Sequence, residues 1–190
     1  IVTTHLFFGM LTATLLFINS LKYSNISMSS EKIPAIALII ITITWVFLII
    51  QILLGGWTST NYASLACTDF PKCLDQWYPK EMIFNEAFNV INLPDVNYEG
   101  GILAYGAKVA IHYSHRITAL ILTFVFISAL YVVFKLNKHS LLKKLMSISI
   151  IFFILQVILG ISNVAYSLPL NIAVWPVSYT HLRAHETTSD

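Results

Sequence analysis

Ala110-Ile-His-Tyr-Ser-His-Arg-Ile-Thr-Ala119 sets two histidines and an arginine at the head of an apolar run. His112 and His115 are three apart, so they project from one face of a helix. From Ile117 to Phe134 there is no charge. Polar groups at such depth are expensive in hydrocarbon, and by default they mark a site. The plain alternative is that they sit at the interface and face water or headgroups. The rest of the chain has to weigh one against the other.

Of the 190 residues, 57% are hydrophobic and 11% are charged. The mean hydropathy is +0.75. A soluble domain averages about 25% charged residues, so the reading is an all-α integral membrane protein. The net charge of +2 excludes little as a total. No run of Lys and Arg is interleaved with aromatics, so nucleic acid is not an expected partner. The chain opens on Ile1 inside an apolar run, which reads as a cut through a longer protein. Nothing at the start resembles a signal peptide with its cleavage site.

Four segments are long enough, or nearly so, to cross a hydrocarbon core that needs about 20 residues. They run from Ile1 to Leu21, Ile33 to Trp57, Val109 to Phe134 and Leu145 to Tyr166. Pro169 marks the expected end of the last. The first connecting loop is short and carries Lys22 and Lys32 with Glu31. The third is also short, with Lys135, Lys138, Lys143 and Lys144. The second, residues 58–108, is long and mixed in charge. The positive-inside rule puts the two basic loops in the cytoplasm and the long loop outside. The first and third helices then run inward, so His5, His112 and His115 lie near the outer face. Two helices thus bring imidazole to one depth.

A faint repeat accompanies this. Gln51-Ile-Leu-Leu-Gly55 closes the second span, and Gln156-Val-Ile-Leu-Gly160 lies in the fourth. His5 precedes Gln51 by 46 residues and His115 precedes Gln156 by 41. Membrane proteins built from repeats often place their site at the repeat interface. For Gly55, Gly56 and Gly160 close helix packing is the preferred reading. Gln51 and Gln156 either hydrogen-bond between helices or hold a ligand, and both uses stay open.

Residues 58–79 of the outer loop read TSTNYASLACTDFPKCLDQWYP. Cys67 and Cys73 are the only cysteines and close a small ring around Pro71, so a disulfide is the first reading, structural or redox-active. A metal site is weaker there, because no His or second Cys pair lies near. Trp57, Tyr62, Phe70, Trp77 and Tyr78 suit an interfacial belt or a lid over the helix ends. The remainder of the loop reads as irregular, with one short amphipathic helix around Met82 to Val90.

Neutral imidazole is a good axial ligand for haem iron. A b-type haem held by two histidines needs one from each of two helices at one depth. Its propionates want a cation near the polar surface. Arg116 offers a permanent charge and five donors for that role, or it snorkels to the headgroups. No Cys-x-x-Cys-His occurs, so covalent haem attachment is not indicated.

Three stretches carry a resemblance: QILLGGWTSTNYASLACTDFPKCLDQWYP at 51–79, AIHYSHRITAL at 110–120 and LQVILGISNVAYSLPL at 155–170. With VTTHLFFGMLTATLLF at 2–17, they resemble the haem A synthases of the bacterial cytochrome oxidase assembly family. The likeness runs from Ile1 to Val174. It implies an eight-helix bundle in two pseudosymmetric four-helix halves, each with a histidine pair for a haem. It implies an enzyme, a haem-modifying oxidoreductase that oxidises a methyl group of haem O to the formyl group of haem A. Residues 1–21 would be the last helix of the N-terminal half. Residues 33–175 would be the C-terminal half, three helices and the outer loop, without its final helix.

Residue by residue, the resemblance makes His5 the second haem ligand of the N-terminal half. His115 matches the first ligand of the C-terminal half, whose cofactor is haem b. Arg116 and His112 join them as candidate cofactor-binding residues. His112 stands where the N-terminal half carries a catalytic acid, so no catalytic residue is assigned. Cys67 and Cys73 match a cysteine pair of the outer loop. The implied partners are haem O, haem O synthase and the lipid bilayer, with a homo-oligomer left open. The implied location is the bacterial cytoplasmic membrane.

Two departures matter. The helices that would precede His5 are absent, and Pro176 stands about where the last haem ligand belongs. Residues 177–190 are unlike the family and resemble translated sequencing-adapter sequence. That composition and position read as an artefactual tail, so His181 and His185 are not taken as a metal site. With one ligand from each pair, the chain alone is expected to be inactive. Two other functions compete. A b-type membrane cytochrome for electron transfer shares the histidines, whereas a membrane thiol oxidoreductase would use the cysteines and leave the histidines idle.

Overall fold

The computed structural model describes residues 2–23, 33–89, 101–136 and 140–166. Its elements are α1 (Val2–Tyr23), α2 (Ala35–Thr60), α3 (Phe84–Ala87), α4 (Tyr105–Leu136) and α5 (Ser140–Ala165). Four of these, all but α3, are long and apolar enough to cross a membrane. Among the described residues there is no strand, only one isolated bridge between Cys73 and Gln76. The chain is a multi-pass, all-helical membrane protein. Hydrocarbon gives backbone N–H and C=O groups no water to bond, so each span must satisfy them internally as a helix. Hydroxyls follow the same rule. Thr12 donates to the Phe8 carbonyl at 2.9 Å, Thr44 to Ile40 at 2.8 Å and Ser128 to Phe124 at 2.8 Å.

The helices overrun the apolar segments read from sequence. Helix α4 starts at Tyr105, before Val109, and α5 starts at Ser140, taking in Lys143 and Lys144. Hydrocarbon sets where a span must be helical, but not where the helix stops in water. Lysine is a good helix former, so the ladder continues past the membrane edge. Pro169, the terminator expected for α5, and the tail lie outside the described residues.

Packing centres on α2 and α4. Helix α1 lies against another side of α2, and α5 touches α4 lightly. Phe126 and Phe153 stack across that last contact with centroids 4.5 Å apart. The apolar windows of α1 and α5 bury no residue. That suits spans whose side chains meet lipid, because lipid tails are as apolar as leucine.

Between α2 and α4 the loop folds back onto the helix ends. Ala63, Ala87, Ala107, Ala110 and Ile111 form a buried cluster flanked by Trp57, Met82 and Leu103. The Trp57 indole donates to the Ala87 carbonyl at 2.9 Å. The Ile83 N–H donates to the Gly106 carbonyl at 3.2 Å. A β-carbon at Gly106 would collide with the Glu81 carbonyl oxygen, so this close approach requires glycine. The amphipathic helix expected around Met82 to Val90 is reduced to the single turn of α3. So short a helix is marginal by itself, and the docking contacts hold the segment instead. Val90 lies outside the described residues.

Candidate functional site

The first turns of α4 carry the site. His112 is 4% exposed. Its Nδ1 lies 3.3 Å from the Cys67 backbone N–H, and its Nε2 lies 3.2 Å from Nε of Arg116. A neutral imidazole has one acceptor nitrogen, so it can serve only one of these donors at a time.

Arg116 turns toward the disulfide loop. Its Nη1 donates to the carbonyls of Asp69 and Lys72, both at 2.8 Å, and Nη2 donates to the Cys67 carbonyl at 2.6 Å. Its guanidinium also stands 5.9 Å from the centre of the Phe70 ring. These carbonyls are a partner set that neither sequence reading of Arg116 named. Three of its five N–H groups meet loop carbonyls, and the Nε–H competes with the Cys67 N–H for the His112 ring.

The loop that receives Arg116 is closed by the Cys67–Cys73 disulfide, with Cα atoms 4.8 Å apart. Both cysteines are buried, packed with Ala66 and Val109. Asp69 organises the turn. Its two carboxylate oxygens accept the N–H groups of Leu74 at 2.8 Å and Asp75 at 2.7 Å. Leu74 and Asp75 both have positive φ, 54° and 59°. The N–H of Asp75, helped by that of Leu74, holds the Asp69 carboxyl below the usual carboxylate range. Sequence reasoning passed over Asp69. The available signal was an acid just before Pro71, since aspartate side chains bond nearby backbone N–H groups in turns.

His115 faces α2. Its ring nitrogens Nδ1 and Nε2 lie 3.1 and 3.3 Å from Nε2 of Gln51. A β-carbon on Gly55 would stand 3.3 Å from Cε1 of His115. Gln51 and Gly55 are four apart and present one face of α2 to the ring. Gln51 thereby hydrogen-bonds between helices, one of the two uses left open by the sequence. The same residue carries Oε1, a buried atom without a hydrogen-bond partner among the described residues.

His5 lies on exposed α1 and does not join this cluster. Its level can still be fixed. Thr3 and Leu6 pack on Gly56, and His115 packs on the adjacent Gly55. Successive residues turn about 100° around a helix, so α1 and α4 flank different sides of α2 at one height. His5 and His115 therefore share one end of the bundle. Gly55 and Gly56 serve close packing, as read from sequence. Gly160 meets nothing within 4 Å among the described residues.

Among the described residues no group of three or more His, Cys, Asp and Glu is placed to hold a bare metal ion. A porphyrin asks less of the protein, because it supplies four nitrogens itself and needs only axial ligands.

Comparison with known proteins bears on this geometry. The family model described as cytochrome oxidase assembly protein (COX15-CtaA) matches residues 1–175. A heme A synthase of Shewanella oneidensis is 43% identical over 127 residues, 67% of this chain and 37% of that protein. A heme A synthase of Neorickettsia sennetsu is 26% identical over 124 residues, 65% of this chain and 33% of that protein. The chain thus spans about a third of the length of these relatives. No solved structure matches. With the family match reaching from α1 through the disulfide loop, the His-Arg turn and α5, this chain belongs to the cytochrome oxidase assembly family.

Proposed function

We propose that the chain is a segment of a haem A synthase, which oxidises a methyl group of haem O to the formyl group of haem A. In this reading His115 would help hold a b-type haem in the C-terminal half, and His5 would serve a second haem in the N-terminal half. The completed protein would be an eight-helix bundle in the bacterial cytoplasmic membrane. Haem O synthase would supply its substrate, and residues 58–108 would lie outside. Any homo-oligomer belongs to that whole protein.

The observation that carries the reading is the seat of His115. Its ring rests on a glycine and an amide of the neighbouring span, at the level of His5. The residues present fit a haem in two respects. Gly55 gives the His115 ring room that a β-carbon would crowd, and Gln51 keeps a buried oxygen without a hydrogen-bond partner among the described residues. When bound, the C-terminal haem would supply electron-transfer chemistry to the methyl oxidation. What this chain contributes is an oriented imidazole, a sealed outer end and a guanidinium N–H at the polar edge.

Full-length protein expressed with haem O, followed by chromatography of the extracted haem, tests the reading. Appearance of haem A supports the synthase. Unchanged haem O with intact bis-histidine spectra would favour the electron-transfer cytochrome instead. The thiol oxidoreductase draws little support, since Cys67 and Cys73 are 0% and 2% exposed and an attacking thiolate needs access.

A further inference from the structure

We infer that α4 presents one side to lipid, a stripe from Ile117 to Phe134, and that Trp77 and Tyr78 anchor the disulfide loop in the headgroup layer at the end of that stripe. The partner is phospholipid, with acyl chains along the stripe and headgroups at its ends. Trp77 and Tyr78 then belong to an interfacial belt rather than to a lid over the helix ends. None of this depends on the haem reading.

Ile117, Leu120, Phe124, Ile127, Tyr131 and Phe134 recur at intervals of three and four, so they share one face of α4, and all are exposed. Nine residues separate His115 from Phe124. That is about two and a half turns, which puts the stripe opposite the histidine. The buried side chains further along α4, Leu122, Phe126, Ala129 and Val133, continue the His115 side instead. Phe126 meets α5 there, and His115 meets α2. Both neighbours thus lie away from the stripe.

Composition separates lipid from a further helix as the occupant. Helix contacts in membranes favour small residues, which let backbones approach. The packed sides carry them, with Gly55 against His115, Gly56 against Thr3 and Ala129 on the buried side of α4. The stripe has only Ile, Leu, Phe and Tyr.

Its two ends carry what a bilayer edge selects. At one end the Tyr113 hydroxyl donates to the Trp77 carbonyl at 2.9 Å, and the Tyr113 ring meets Tyr78 edge-on with centroids 5.9 Å apart. Trp77 and Tyr78 stay 69% and 65% exposed. At the other end Lys135 donates to the Tyr131 hydroxyl at 2.6 Å and stands 5.0 Å from that ring's centre. Trp and Tyr gather at headgroup level, and lysine snorkels to it. Tyr113 and Tyr131 are eighteen residues apart on one helix. The rise between them is about 27 Å. That matches a hydrocarbon core of about 30 Å.

The test uses full-length protein in phospholipid vesicles, with the photocrosslinker p-benzoyl-phenylalanine placed in turn at Phe124, Trp77 and Phe126. Mass spectrometry after irradiation identifies what each position captures. A mass shift of one phospholipid is expected at Phe124 and at Trp77. Phe126 should instead crosslink within the chain, to α5. Capture of another segment or of a second copy from Phe124 would overturn the lipid stripe. The same result from Trp77 would overturn the anchor. Equal lipid capture at Phe124 and Phe126 would remove the sidedness on which both rest. Loss of fold on replacing Phe124 would also count against the stripe, because acyl chains yield to a larger ring and a packed helix does not.

Discussion

Arg116 donates from Nη2 to the Cys67 carbonyl oxygen at 2.6 Å, so the helix that bears the histidines also grips the disulfide ring. The carbonyls of Asp69 and Lys72 complete that grip. One guanidinium therefore ties the disulfide loop to the head of α4, and His112 backs it from the same helix.

Replacing Arg116 should loosen the ring. Arg116→Ala leaves the Cys67 and Asp69 carbonyls short of donors, and a buried unpaired group costs about 1–3 kcal/mol. Arg116→Lys keeps the charge but loses the planar fork, so it should recover only part of the loss. Thermal melts in detergent and the rate of disulfide reduction by dithiothreitol report the effect. A parent-like Tm and reduction rate in Arg116→Ala would refute the clamp.

Opening the disulfide should weaken the same region from the other side. Closing a ring this small is worth about 2 kcal/mol on the loop-entropy account. Cys67→Ser with Cys73→Ser should lower the Tm and expose the 67–76 segment to protease. The spans themselves should survive, because their backbone bonds are internal. Helical circular dichroism that collapsed with the loop would contradict this separation.

Acid should release the turn that Asp69 organises. Its carboxyl is held low by backbone N–H groups, so the folded state favours the ionised form. The contribution is present above the ordinary carboxylate range near pH 4. It is lost as pH falls through the depressed folded value. Trp77 fluorescence between pH 5 and pH 2 should report the opening, and Asp69→Asn should weaken that pH dependence. An Asp69→Asn titration that overlays the parent's would remove Asp69 as its source.

Gly55 and Gly106 should differ in severity. At Gly106 a β-carbon meets backbone, which cannot swing away, so Gly106→Ala should sharply reduce folded yield. At Gly55 it meets the edge of the His115 ring at 3.3 Å, which can give by a few tenths of an ångström. Gly55→Ala should fold, and in full-length holoprotein it should perturb the haem spectrum. Equal yields for the two variants would show that the Glu81 contact is not a constraint.

Much of the architecture was legible because its causes are local. Uncharged runs of span length announced all four membrane helices, and the Cys-x5-Cys spacing announced the ring. The single turn of α3 was legible only in part, since tertiary docking rather than periodicity holds it. Arg116 was read as facing a propionate or the headgroups. Nothing in its immediate sequence reveals that loop carbonyls 44 to 49 residues away converge on it.

The amino-acid order alone determined that this is a membrane protein, where its spans lie, and that imidazoles stand at matched ends of two of them. A helix satisfies each backbone group within four residues, and lipid enforces that rule, so composition along the chain suffices. Tertiary structure alone decided the partners. Gln51 meets His115 across 64 residues, and Arg116 meets Cys67 across 49. Such pairings depend on which faces of α2 and α4 turn together, a choice made by packing such as that of the His115 ring on Gly55 rather than by any local pattern.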